Sequence, residues 1–195
     1  KERVNSELVG NIANFGYRVL SFINKNFDSK IGEFDIEDKD VQRIINEFKE
    51  TSLKIRKDYR DFEFREVVKE ILHLSSLGNK YFQDNEPWKL IKGDTADKKK
   101  DEEMKKKAGQ VLSFCFHILK NLSIIMSPIM PRFSEELQIQ LNVSDLTWDD
   151  IHFDMKNHKI NEGKIVIKKI DNEMEKMIHD NAEVKTETKE HAGAP

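Results

Sequence analysis

The chain has 195 residues, 37% hydrophobic and 35% charged, with 8 Gly and 4 Pro. That is enough for one domain with appendages and a real core, and the breaker-poor, Lys- and Glu-rich composition favours helices over sheets. Lys and Arg number 33 against 36 Asp and Glu, a net charge of −3. This argues against a bulk polyanion binder such as a DNA-coating protein and leaves room only for a local basic site.

The first 27 residues carry an apolar stripe, Leu8, Ile12, Phe15, Val19 and Phe22, that predicts a helix over 5–27. A polar stripe of Asn11, Asn14, Arg18, Ser21 and Lys25 flanks it and puts Asn14 and Arg18 at the lip of a groove. The acidic loop "DSKIGEFDIEDKD" feeds a second helix to about residue 59, through Val41, Ile44, Ile45, Phe48 and Leu53, since carboxylates suit a helix start. A third helix is expected over 62–85, with Phe64, Val67, Val68, Ile71, Leu72 and Leu77 inward. "NEPWKLIKGDTAD" breaks the pattern at Pro87 and Gly93, which sets Trp88 on irregular backbone.

A long helix follows over 97–126. Its solvated start, "KKKDEEMKKK", gives way to "VLSFCFHILKNLSIIM", apolar nearly all round and so central. A short helix restarts after two prolines in "SPIMPRFSEELQIQL", with Arg132 or Ser134 near its start. "TWDDI" reads as a helical turn, "GKIVIKKI" as the one plausible strand and "DNEMEKMIHD" as a last helix. From about 182 the chain has no apolar periodicity and reads as a disordered tail or linker. The expectation is an all-α bundle of about five main helices over 1–142. A C-terminal segment, 143–181, packs back on it or toward a part outside the sequence, and the tail occupies 182–195.

Candidate chemistry is sparse. Cys115 is the single cysteine, which excludes an internal disulfide and fits a reducing cytoplasm. No two of His73, His117, His152, His158, His179 and His191 stand at helical ligand spacing, so no metal site is expected. There is no glycine-rich phosphate loop and no nucleophile motif, so no catalytic residue is assigned. No apolar run reaches the ~18 residues of a membrane span, and "KERVNSELVG" has neither Met nor the core of a signal peptide. The chain therefore reads as part of a longer protein that does not enter a membrane. Trp88 remains open to two readings. It is either a core plug or a stacking platform for an unpaired base, with Lys25, Lys80, Lys89 and Lys92 as candidate phosphate contacts.

"NSELVGNIANFGYRVLSFINKNFD", "GNKYFQDNEPWKL" and "VLSFCFHILKNLSIIMSPIMPRFSEELQIQL" together resemble the anticodon-binding domain of methionyl-tRNA synthetases, class I aminoacyl-tRNA synthetases. "GKIVIKKIDNEMEKMI" looks like that family's closing segment, so the resemblance covers roughly 1–178. It implies that Asn14 and Arg18 read a cytosine, the first anticodon base, while Trp88 stacks on that base and Pro87 fixes the ring. Cytosine's pairing edge offers two acceptors and an N4 donor. Arg and Asn amides match it, and uracil would set an acceptor where the donor was.

The implied partners are a methionine tRNA with a CAU anticodon and the catalytic domain of the same polypeptide, in the cytoplasm. The family's HIGH and KMSKS signatures and its zinc knuckle are absent. ATP and Mg, with Zn as a candidate, would therefore belong to the parent's catalytic half, and this stretch needs no cofactor of its own. Two alternatives stand beside this reading. One is the corresponding domain of a Leu, Ile, Val or Cys synthetase. The other is a helical scaffold that binds a partner helix and no RNA.

Overall fold

The computed structural model describes residues 2, 4–92, 98–167, 171–174 and 176–177. The chain opens with a π segment, Val4–Ala13, that passes without a break into α1, Asn14–Asn26. The expected first helix is thus continuous but changes its winding at Ala13. Of the predicted stripe Ile12, Phe15 and Val19 are buried, while Leu8 and Phe22 are half-buried and Ile23 takes the buried place beside Phe22. Asn11 fastens the π segment to the third helix: Asn79 Nδ2 donates to the Asn11 backbone carbonyl (2.9 Å) and side-chain oxygen (2.6 Å), and Ser75 Oγ donates to the latter (3.1 Å).

Asp38 caps α2, Lys39–Arg60, by accepting from the amides of Asp40 (2.9 Å) and Val41 (3.0 Å). Its core stripe is Val41, Ile44, Ile45, Phe48 and Ile55. The expectation for Leu53 is corrected: it is 68% exposed. At 100° per residue it lies on the side of α2 away from Phe48, and Ile55 continues the stripe. α3, Phe64–Asn85, buries Val67, Ile71, Leu74, Gly78 and Phe82. Phe64 is exposed instead, at the first position of α3, where its ring meets that of exposed Phe62 edge-on.

α3 stops at Glu86, which adopts the left-handed conformation (φ 42°, ψ 52°), and the chain restarts at once as α4, Pro87–Ile91. The sequence suggests irregular backbone there, and the structure corrects it to a helical turn. Proline suits the first position of that turn because its missing N–H is an orphan at any helix start. α5, Lys98–Met126, is the axis of the bundle, and every residue from Val111 to Met126 is buried. In length and composition α5 is apolar enough to cross a membrane, but 89% of that stretch is buried within the bundle, as befits a core helix. Burial pushes the Cys115 thiol upward and keeps it neutral. α6, Pro131–Leu141, closes the bundle with Phe133, Leu137 and Leu141. The π segment with α1, together with α2, α3, α5 and α6, makes up the five expected main helices, and α4 is a short sixth.

Beyond α6 the chain wraps the bundle. A 3-10 turn, Trp148–Asp150, is closed by reciprocal capping between Thr147 and Asp150. Buried Lys120 of α5 donates to the Asp150 carbonyl, and Tyr59 meets Trp148 edge-on. The amides of Ile31 and Ile160 bond across to the carbonyls of His158 (2.9 Å) and Ser29 (2.8 Å), which forms one antiparallel bridge. Within the described part of "GKIVIKKI" no strand forms. Gly163 and Lys164 give their amides to the side chains of Asn24 and Gln140 instead of to a partner strand. Residues 172–174 and 176–177 are helical, while the rest of the expected last helix and the tail lie outside the described residues.

Candidate nucleic-acid interface

The Arg18 guanidinium marks the site. It projects from the middle of α1, 4.7 Å from the centroid of the Phe82 ring and 5.4 Å from that of Trp88. The two rings belong to α3 and α4, and their centroids are 5.4 Å apart at 53°. The Glu86 elbow makes this possible. A straight continuation of α3 would carry residue 88 onward along the axis, whereas the left-handed residue turns the chain so that Trp88 comes back beside Phe82. Phe82 is fully buried and braced edge-on by Phe15 and Phe22 (both 6.2 Å). Trp88 is half-buried, and Pro87 beneath it is buried. Trp88 is therefore neither a core plug nor a free ring: it packs against the core and still borders solvent.

A cation over aromatic faces is held by their negative quadrupoles, at ~0.5–2 kcal/mol depending on desolvation. Arg18 is partly desolvated, which lowers its pKa from the usual 12.5, yet it remains a cation at neutral pH. With the rings against the guanidinium, its N–H donors at the edge remain its polar surface. One further side chain reaches that edge. With the Gln83 carbonyl turned toward Arg18, Nη1 donates to it at 2.8 Å and Nη2 at 3.3 Å; the opposite amide orientation would set donors against donors.

Asn14, one turn before Arg18 on the same helix, is exposed and makes no side-chain hydrogen bond to a described residue. Its amide supplies a free donor and acceptor next to Arg18. Of the candidate phosphate contacts, Lys80 pairs with Asp84 (2.8 Å) and Lys89 with Glu86 (2.7 Å). Lys25 and Lys92 are exposed and pair with no described acid. Asn79, one turn from Gln83, is spent on Asn11 and does not face the site.

The structure thus brings Arg18, Pro87 and Trp88 together and adds Phe82 and Gln83, which the sequence does not single out. Phe82 has the apolar spacing of any α3 core residue. Nothing in the local pattern says that the elbow brings it face to face with a cation from α1.

A basic fork stacked on a half-open aromatic pair, on the flank of an all-helical bundle, is suited to an unstacked base. Residues 42–192 match the family described as "Anticodon-binding domain of tRNA ligase", and the chain belongs to that family. The match begins after α1, so Asn14 and Arg18 lie outside it. A methionine–tRNA ligase of Methanopyrus kandleri is 35% identical over 177 residues, 89% of this chain and 24% of the relative. The cytoplasmic methionine–tRNA ligase of Caenorhabditis elegans is 32% identical over 172 residues, 87% of this chain and 18% of that one. The chain therefore spans about a quarter or less of these curated relatives. In fold it is similar to Mycobacterium tuberculosis methionyl-tRNA synthetase in complex with methionyl-adenylate. The TM-score is 0.77 at 16% identity, and the similarity covers 86% of this chain and 32% of that one.

Proposed function

We propose that this chain is the anticodon-binding region of a methionine–tRNA ligase, and that it takes the first base of a CAU anticodon, a cytosine, between Trp88 and the donor edge of Arg18. The observation that carries this reading is the Arg18–Phe82–Trp88 stack, which fixes a cationic donor set beside a ring at the surface. Trp88 offers the stacking face and Pro87 seats it. Arg18 donates to the cytosine O2 and N3, and the Asn14 carbonyl accepts from N4. Lys25 and Lys92 lie free for the phosphates, while Lys80 and Lys89 exchange their exposed acid partners for them at small cost. ATP and Mg belong to the catalytic remainder of the polypeptide, in the cytoplasm, as the name of the Caenorhabditis elegans relative states for that protein. The ligation of methionine is the work of that remainder, and this region holds the tRNA in place for it.

The test is binding of methionine tRNA, against the same tRNA with uracil as its first anticodon base, by fluorescence anisotropy. Cytosine should bind at least ~10-fold tighter, because uracil leaves a buried donor facing donors. Equal affinities would remove the reading of Asn14 and Arg18. Leucine and isoleucine tRNAs in the same assay separate this reading from the related synthetases.

A further inference from the structure

We infer that Gln83 is a positioning and specificity-determining residue of the anticodon site: its side-chain carbonyl sets the rotation of the Arg18 guanidinium in its own plane, and so decides which N–H groups face the base. This rests on the reading above that Arg18 meets a base.

The two aromatic rings, 53° apart, hold the guanidinium by its charge but do not fix the direction of its N–H groups. The attraction of a cation to a ring face is nearly indifferent to that direction. Hydrogen bonds are not, and they weaken steeply below about 120° at the hydrogen. Only a directional partner in the plane can lock the fork. Among the described residues Gln83 is the one side chain that bonds it, through Nη1 at 2.8 Å and Nη2 at 3.3 Å. Both terminal nitrogens are engaged from one side, and their remaining hydrogens and Nε–H are left for a ligand. Among the described residues no carboxylate is paired with the Arg18 fork, so its charge stays available to the RNA.

Position and chemistry agree. Gln83 follows Phe82 on the last turn of α3, so one helical turn supplies both the face that holds the guanidinium and the acceptor that orients it. A neutral acceptor suits the task. It turns the fork without neutralising it, and it adds no negative charge beside the phosphates. Gln83 is also exposed, with no other side-chain hydrogen bond to a described residue. Its orienting contact with Arg18 is therefore its distinguishing feature, and its removal should not disturb the fold.

The test uses the 195-residue chain and two fluorescein-labelled anticodon stem-loop RNAs that differ only in cytosine or uracil at the first anticodon position. Gln83→Ala is expected to weaken cytosine binding about fivefold to tenfold. Uracil binding should change less than about twofold, so the cytosine-to-uracil ratio falls, while the thermal midpoint stays that of the wild type. Gln83→Glu keeps an acceptor at the same reach. It should recover most of the ratio while weakening both RNAs together, more so at low salt. A purely structural role would move the thermal midpoint and leave the ratio alone.

Arg18→Ala serves as the reference. If Arg18→Ala lowers the ratio and Gln83→Ala does not, the role of Gln83 is overturned and the base reading stands. If Arg18→Ala leaves RNA binding intact, the base reading itself fails, and the Gln83 assignment fails with it.

Discussion

The Arg18 guanidinium rests 4.7 Å from the centre of the fully buried Phe82 ring, so a charged surface group of the domain is seated on its hydrophobic core. Substituting Phe82 with Leu keeps the site apolar but removes the π face. The expected result is a folded domain less stable by about 1–2 kcal/mol in urea titration, because the volume lost is modest. RNA affinity should fall further than stability alone explains. A rise in salt should not recover it, since the phosphate contacts are untouched.

Trp88 is half-buried, so its truncation separates packing from recognition. Trp88→Ala should leave the helical circular-dichroism spectrum in place. The stability loss should fall below the ~3–5 kcal/mol of a fully buried aromatic. Binding of the anticodon stem-loop should drop by about 10- to 100-fold, the range of one lost base stack. A domain that unfolds outright on this substitution would restore the core-plug reading.

Gly78 faces Phe15 of α1 and Ile118 of α5. A Cβ there would stand 2.8 Å from Phe15 Cε1 and 2.9 Å from Ile118 Cγ2, nearer than carbon atoms approach. Alanine would gain up to about 1 kcal/mol in helix propensity. It would lose more by forcing apart two buried side chains, about 1–3 kcal/mol. Gly78→Ala should therefore lower the urea midpoint, and Phe15→Leu in the same chain should partly restore it.

His117 is buried against Phe34, Phe116 and Phe153, and its Nδ1–H donates to the Ser113 carbonyl at 2.7 Å. Desolvation lowers its pKa from 6.5 to about 4, against the smaller opposing effect of that hydrogen bond. Between those values the unfolded chain binds a proton that the folded chain refuses. The stability from a neutral His117 is thus present above pH 6.5 and is lost as pH falls toward 4, at most ~3 kcal/mol. His117→Phe should flatten the acid limb of a stability-against-pH curve in that window.

Lys120 behaves in the opposite range. Burial lowers its pKa from 10.5 to about 8, with Asp154 and Asp150 acting against the shift. Between pH 8 and 10.5 the unfolded chain is the more protonated, so this residue makes stability rise with pH through that interval. Lys120→Met should abolish the rise. At neutral pH it should be close to neutral or stabilising, because methionine fills the site without a buried charge.

Most of the architecture is legible in the sequence where burial is one-sided. The stripes through Ile12, Phe15 and Val19 and through Val67 and Ile71, the all-apolar run of α5, and the acidic start of α2 each carry a periodic or directional signal. The expectations fail where tertiary contacts override such signals. Leu53 is apolar but rotated out of the stripe, and the β-rich "GKIVI" finds side-chain acceptors instead of a partner strand. In the site, Asn14, Arg18 and Trp88 stand out as polar or aromatic residues in informative positions. Phe82 and Gln83 do not, because their roles exist only once Glu86 has turned α4 back across α3.

That turn also bears on how recognition can change over evolutionary time. The left-handed Glu86 lets a run of only seven residues, Phe82 to Trp88, supply the floor, the orienting acceptor and the stacking ring around one side chain of α1. Apart from Phe82 and Pro87, none of these residues is buried in the core. On the proposed function, the exposed and half-exposed members of this run form a short, locally encoded surface beside Arg18, anchored to the bundle by Phe82 and Pro87. If the proposed function holds, a lineage can retune which base is accepted through the codons of the non-core positions while the bundle is inherited unchanged.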